Sequence, residues 1–241
     1  MRAILTYHSI DPSGSPVSID EGTLRRHIAF LRAGKVAVVR LEEILAVPEH
    51  RDAVALTFDD GFTNFESVAW PLLRYQDFPV TLFVATQRVG RDNAWGGASA
   101  RGIPTLPLLG WDALRRMQKQ GLTLGSHSRT HPRLTQLDDA RLADELDGSL
   151  SDMERELDTR PGSFCYPYGD VDERVANAVR SRFARACTTD LATLPASPDA
   201  HLLPRLDAFY YRSAGRLESF GSRAFRAHLW LRAAARGLRG R

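Results

Sequence analysis

Cysteine and lysine are almost missing from this chain. Cys165 and Cys187 are the only cysteines among 241 residues; two make no disulfide framework, and their apolar neighbours mark them as core thiols. Lys35 and Lys119 are the only lysines, so nearly all the positive charge is guanidinium, a compositional bias that also suits carboxylate and phosphate partners. No apolar run approaches the roughly 18 residues of a membrane span. The segment Met1 to His8 turns polar too early for a signal peptide, and a soluble cytoplasmic protein is the expectation. No basic stripe is interleaved with aromatics, which argues against a nucleic-acid partner.

Hydrophobic residues make up 43% of the sequence, enough for the core of a single domain. Strand-like and helix-like stretches alternate along most of it. Strands are predicted over Ala3 to Tyr7, Val36 to Val39, Val54 to Phe58, Val80 to Val84, Leu122 to Leu124, Phe164 to Tyr166 and near Ala186. Helices are predicted over Thr23 to Arg32, Glu66 to Tyr75, Trp111 to Gln120, Asp138 to Leu157 and Val171 to Arg182. Such repeated units predict a parallel α/β sheet or barrel, in which function collects at the carboxyl ends of the strands. A Gly- and Pro-rich stretch from Gly90 to Gly110 is long enough to be a substrate-facing insertion.

Two clusters fall at predicted strand ends. Asp59-Asp60-Gly61 follows Val54 to Phe58, and adjacent strand residues point opposite ways, so the two acids are free to do different jobs. His127 and His131, in Ser126-His127-Ser128-Arg129-Thr130-His131-Pro132, are spaced to reach one ion from a helical turn or a tight loop. Two histidines and one carboxylate leave positions open for water and substrate, the donor set of a catalytic site.

Taken in order, Thr57-Phe58-Asp59-Asp60-Gly61, His127-Ser128-Arg129-Thr130-His131 and Phe164-Cys165-Tyr166-Pro167-Tyr168-Gly169 resemble the polysaccharide deacetylases of carbohydrate esterase family four. The resemblance covers residues 1–210 or so. It implies an α/β fold, a distorted (β/α)7 barrel, and metal-dependent hydrolysis of an N-acetyl group on an amino sugar. Carried over by position, Asp59 would be the general base, Asp60, His127 and His131 the metal ligands, and the Tyr168 backbone amide an oxyanion donor. The implied cofactor is a divalent ion, Zn²⁺ first, with Co²⁺, Ni²⁺ or Fe²⁺ compatible with the same ligands.

The chain departs from the family pattern twice. Cys165 occupies the place where many members carry an arginine that clamps the base, and Arg205, in Leu203-Pro204-Arg205-Leu206, is the candidate replacement. The late histidines His201 and His228 lack the strand context of the family's usual general acid. His8 ends the first strand instead, and resembles the amino-terminal histidine of the circularly permuted branch that includes biofilm poly-N-acetylglucosamine deacetylases. An imidazole, with an unperturbed pKa of roughly 6.5, suits the role of an acid that protonates a departing amine. Asp207 reads as a surface or turn acid, placed on the strand face of Arg205 where it could also orient His8.

Tyr166 and Tyr168 have a positional claim to the substrate pocket, and Trp95 and Trp111 flank the long loop as candidate sugar-stacking rings. The substrate would be an acylated amino sugar, polymeric, lipid-linked or small. Residues 1–212 form the expected catalytic domain, with 213–241 a basic amphipathic tail. There Leu217, Phe220, Ala224, Ala227, Leu231, Ala234 and Leu238 recur at helical spacing among arginines, Arg239 included. Packing of this stripe on the barrel is the favoured reading; peripheral contact with the inner membrane is the other. A sugar deformylase, an O-deacetylase and an inactive carbohydrate-binding module are the alternative functions.

Overall fold

The computed structural model describes residues 1–97 and 101–237. Strand β1 (Arg2–Tyr7) leads to the short pair β2 (Ser9–Ile10) and β3 (Ser18–Ile19), then helix α1 (Glu21–Arg32) and β4 (Ala37–Val39). Next come β5 (Ala53–Phe58), a wide helical turn Phe65–Ala69 running into α2 (Trp70–Arg74), and β6 (Val80–Val84). Helix α3 (Trp111–Lys119), β7 (Thr123–Ser126), α4 (Asp139–Leu157), β8 (Ser163–Cys165), α5 (Glu173–Arg180) and β9 (Arg185–Cys187) follow. The described chain ends with β10 (Leu206–Asp207) and α6 (Arg223–Gly237).

The main sheet is wholly parallel, in the order β10-β1-β5-β6-β7-β8-β9, with β4 beside the first half of β5 and β6 beside its second half. It curls on itself. Leu206 pairs with Leu5 of β1, while three residues earlier Leu203 bridges Cys187 of β9. The segment 203–207 is therefore a thin seam that joins the two ends of a seven-stranded barrel. This is the distorted (β/α)7 architecture expected from the sequence.

Strand alternation divides the side chains between two cores. Ile4, Ala53, Ala55, Phe83, Cys165, Cys187 and Leu203 fill the barrel. Leu5, Tyr7, Val54, Leu56 and Phe58 face outward and pack with the inner stripe of α1 (Leu24, Ile28, Leu31) and with Leu73 of α2. Both faces of β1 and β5 are buried, so their sequences are continuous apolar runs rather than alternating ones. The inward parity of β5 continues through Thr57 to Asp59, which enters the top of the barrel as part of its lining.

The tail docks differently from the expected stripe. Leu217 and Phe225 are fully buried in the main core, with Phe220 and Leu229 packed on it. Ala224, Ala227, Leu231 and Ala234 face solvent instead. Helix α6 begins at Arg223 rather than Arg216, and its docking face is turned toward His228, whose Nε2 lies 3.0 Å from the Tyr210 carbonyl. Leu238 and Arg239 of the predicted helix lie outside the described residues.

Candidate active site

Asp59 is held by the protein's own groups. Its backbone N–H donates to the Tyr7 carbonyl (2.9 Å), continuing the β1–β5 ladder one residue past the strand. Its carboxylate takes two parallel bonds from Arg205, Nη1 to Oδ1 at 2.8 Å and Nη2 to Oδ2 at 2.7 Å, with the two side chains 1% and 2% exposed. Arg205 in turn donates Nε to the Thr188 carbonyl (2.9 Å), Nη1 to Thr6 Oγ1 (2.9 Å) and Nη2 to Cys165 Sγ (3.1 Å). Burial alone would raise the Asp59 carboxyl, but the Arg205 guanidinium outweighs it and holds the group well below the usual carboxylate range. Cys165 is thus more than a core thiol. Burial pushes its pKa far up, so a neutral sulfur of small volume fills the gap beside the ion pair.

His8, at the end of β1, sets Nε2 3.6 Å from Asp59 Oδ2. Asp207 caps the turn after β10, its Oδ1 accepting from the Phe209 N–H (2.9 Å). It is a turn acid, but an inward-facing one, and burial raises its pKa against the influence of His8.

Asp60 turns away from Asp59 by adopting the left-handed backbone region, φ 70°. Its Oδ1 lies 3.5 Å from His127 Nε2 and 3.6 Å from His131 Nε2. That oxygen is buried without a hydrogen-bond partner, although an unsatisfied buried acceptor is costly. His127 Nδ1 sits 2.7 Å from the Cys165 carbonyl, which fixes the proton on Nδ1 and leaves Nε2 as a lone-pair donor. One atom from each of Asp60, His127 and His131 falls within 4.8 Å of the others, an arrangement that fits a divalent cation. His131 is fixed by a stack with Trp95 (ring centroids 4.1 Å apart) and by the edge contact of Tyr168 (4.6 Å).

The histidine loop is neither helical nor slack. Ser128 and His131 both have φ 65°. Buried Glu145 of α4 accepts from the Arg129 N–H (2.8 Å), the Thr130 N–H (2.9 Å) and Thr130 Oγ1 (2.6 Å), clamping the loop from beneath. The third motif adds Tyr168, φ 60°, followed by Gly169, where a Cβ would collide with the Thr189 side chain. Four of the six left-handed non-glycine residues in the described chain therefore surround one site, where such strain is concentrated when function requires a fixed geometry.

A cavity of about 450 Å³ joins these groups. It is lined by His8, Asp59, Asp60, His127, His131, Tyr166 and Tyr168, with Trp95 and Asn93 from the long loop. Asn93 bonds across that loop to Pro104 and Leu106. Trp111 is a correction: it starts α3 as a partly buried ring against the main core and is not among the cavity-lining residues. Arg133, Thr189 and Arg236 also line the cavity and were not picked out from the sequence.

The fold and site define a parallel α/β barrel carrying an Asp-His-His cluster and an arginine-paired carboxylate at the carboxyl ends of its strands. A family model described as polysaccharide deacetylase matches residues 46–184, more than half of the chain, and the chain belongs to that family. The YxkH protein of Bacillus subtilis is 22% identical over 193 residues, covering 78% of this chain and 64% of the relative. The chitin deacetylase of Colletotrichum lindemuthianum is 34% identical over 87 residues, 36% of this chain and 30% of the relative. The chain thus spans less than two thirds of the length of either relative. The Streptococcus pyogenes deacetylase PplD, solved in complex with acetate, superposes with a TM-score of 0.71 at 21% identity, covering 85% of this chain and 91% of that one. This likeness shows the shared fold.

Proposed function

We propose that the protein is a metal-dependent hydrolase that removes the N-acetyl group from an amino sugar of a glycan or glycan precursor. The observation that carries this reading is the meeting, in one cavity, of the Asp60, His127 and His131 donors with the Asp59–His8 pair. Bound by Asp60, His127 and His131, a divalent cation such as Zn²⁺, Co²⁺, Ni²⁺ or Fe²⁺ would supply Lewis-acid chemistry at the acyl carbonyl and the attacking water.

The chain's own groups do the rest. Asp59 stays ionised because Arg205 holds it so, and it accepts the proton of the attacking water. The Tyr168 N–H, presented by its left-handed backbone, donates to the oxygen of the tetrahedral intermediate, a contact whose loss typically costs roughly 10²- to 10³-fold. His8, 3.6 Å from Asp59, returns a proton to the departing amine. The rings of Trp95 and Tyr168 shape the walls around the sugar, whereas the Tyr166 ring is fully buried against Phe164 and donates its hydroxyl to the His201 carbonyl. Contact of α6 with an anionic membrane surface belongs to the same reading, supported by exposed Trp230 and Leu231 four residues beyond exposed Arg226 and Ala227.

The decisive experiment is acyl release. Zn²⁺- or Co²⁺-loaded protein is assayed for acetate and formate from a panel of N-acetylated, N-formylated and O-acetylated sugars, with Asp59→Asn as control. Acetate from N-acetyl sugars alone is expected; formate or O-acetyl specificity would move the reading to those chemistries. No release from a protein that binds metal and glycan would make it a binding module.

A further inference from the structure

The cavity carries more positive charge than the proposed chemistry uses. Its lining includes two acids, Asp59 and Asp60, and two arginines, Arg133 and Arg236. Asp59 is already neutralised by Arg205 from below, and Asp60 faces the two histidines. The two lining arginines are left over.

Neither holds a carboxylate in a close pair among the described residues, as several of the chain's other arginines do. Arg182, for example, grips Asp147 with two bonds of 2.7 and 2.8 Å. Arg133 instead lies over the Tyr168 ring, its Cζ 4.7 Å from the centroid, with half its side chain exposed. The carboxylate near it, Asp170, is 4.0 Å away and spends its other oxygen on Thr135, at 3.0 and 2.7 Å. Arg236 stands on the last described turn of α6, close enough to Asp207 to oppose the upward push of burial on that acid, while Asp207 is engaged with the Phe209 N–H.

The two reach the cavity from different parts of the barrel. Arg133 comes from the loop after β7, two residues beyond His131. Arg236 comes from α6, which is fixed beside β10 by the Tyr211–Phe225 stack at 5.4 Å and the His228–Tyr210 contact at 3.0 Å. Arg236 also lies beyond residue 184, where the family match ends. A neutral sugar can accept single bonds from a guanidinium, but charge-assisted bonds to an anion are roughly twice as strong. Planar forks of N–H donors match the oxygens of phosphate and carboxylate, and a cleft of one sign concentrates ligands of the other.

We propose that Arg133 and Arg236 form an anion subsite beside the reacting acyl group, so that the acylated sugar carries a phosphate or carboxylate. This rests on the deacetylase reading and names its substrate class.

The test is equilibrium binding by calorimetry in the presence of a chelator, so that no metal ion can hold the anion. Methyl N-acetylglucosaminide is compared with N-acetylglucosamine 1-phosphate. An N-acetylglucosaminyl-glucuronate disaccharide is compared with its glucose counterpart. At least one charged ligand binds about tenfold or more tightly than its neutral partner, the value of a charge-assisted contact. The preference shrinks in high salt and falls in Arg236→Gln and in the more exposed Arg133→Gln, with melting curves confirming that both variants fold. Preference for the phosphate identifies a phosphorylated or lipid-phosphate sugar, and preference for the uronate an acidic glycan. Equal binding of charged and neutral ligands overturns the subsite, as does a preference that survives in both variants. Acetate release from neutral substrates is measured separately, so a failed subsite and a failed deacetylase give different results.

Discussion

Replacing Arg205 by methionine keeps the apolar stem and removes the charge. It leaves the Asp59 carboxylate, 2% exposed, without the two bonds of 2.8 and 2.7 Å that now neutralise it. Breaking a buried pair from one side costs about 3–5 kcal/mol, because the surviving charge has no partner. The pH dependence should also change sign. In the native protein Asp59 titrates below its unfolded value of roughly 3.9, so its stabilising contribution is present above that value and is lost as pH falls through the lower, folded one. Without the guanidinium, burial is the dominant influence and lifts the carboxyl above the unfolded value. Acidification through the raised pKa would then stabilise Arg205→Met instead of destabilising it.

Urea unfolding in chelator, near pH 7 and about two units lower, reads both effects. In the metal-loaded enzyme the acid limb of kcat/KM should move up by about 1–3 units. Adding Asp59→Asn to Arg205→Met should recover part of the lost stability, since the buried charge is then gone. A stability loss below about 1 kcal/mol, the value of a surface pair, together with an unmoved acid limb would refute the clamp.

Three further outcomes follow from the same geometry. His8→Gln should lower turnover by about 10²- to 10⁴-fold while leaving Zn²⁺ affinity unchanged, measured by steady-state kinetics beside metal titration; unchanged turnover would remove His8 as the acid. Glu145→Gln should weaken Zn²⁺ binding by roughly 10- to 100-fold although Glu145 contacts no metal ligand side chain, because it secures the loop between His127 and His131; native affinity would show that the loop holds its shape unaided. Ending the chain after Ser213 strips Leu217 and Phe225 from the core, each worth about 2–5 kcal/mol, so the truncated protein should melt far lower or be insoluble. A truncated protein with native melting and vesicle binding lost would instead make the tail a membrane device.

The fold was legible because periodicity carries it. Continuous apolar runs marked β1, β5 and β6, and three ordered motifs located the strand ends that build the site. Motif spacing could not show what approaches from a distant part of the chain. Arg205 could be named only as an arginine within an apolar stretch; the seam that aims it at Asp59 is a tertiary fact. Glu145 has a readable trace, a carboxylate between Leu142 and Leu146 on the buried face of α4. Arg236 left none, since one arginine among many on a basic helix has no local signature. The docking face of α6 was misplaced because a helix rich in alanine offers several weak stripes, and packing chose the one bearing Phe225 and His228. Trp111 shows the reverse: an aromatic beside a long loop is a core ring unless the backbone turns it toward the cavity.

The barrel seam has a consequence for how the enzyme comes into being. Arg205 meets Thr6 across 199 residues and Asp59 across 146, so no early fragment of the chain can assemble the pair. A chain folded only as far as β9 would leave Asp59 without its counter-ion and the ring without the segment that completes it. Assembly of the buried ion pair and closure of the ring are thus a single event, decided when β1 and the segment 203–207 meet.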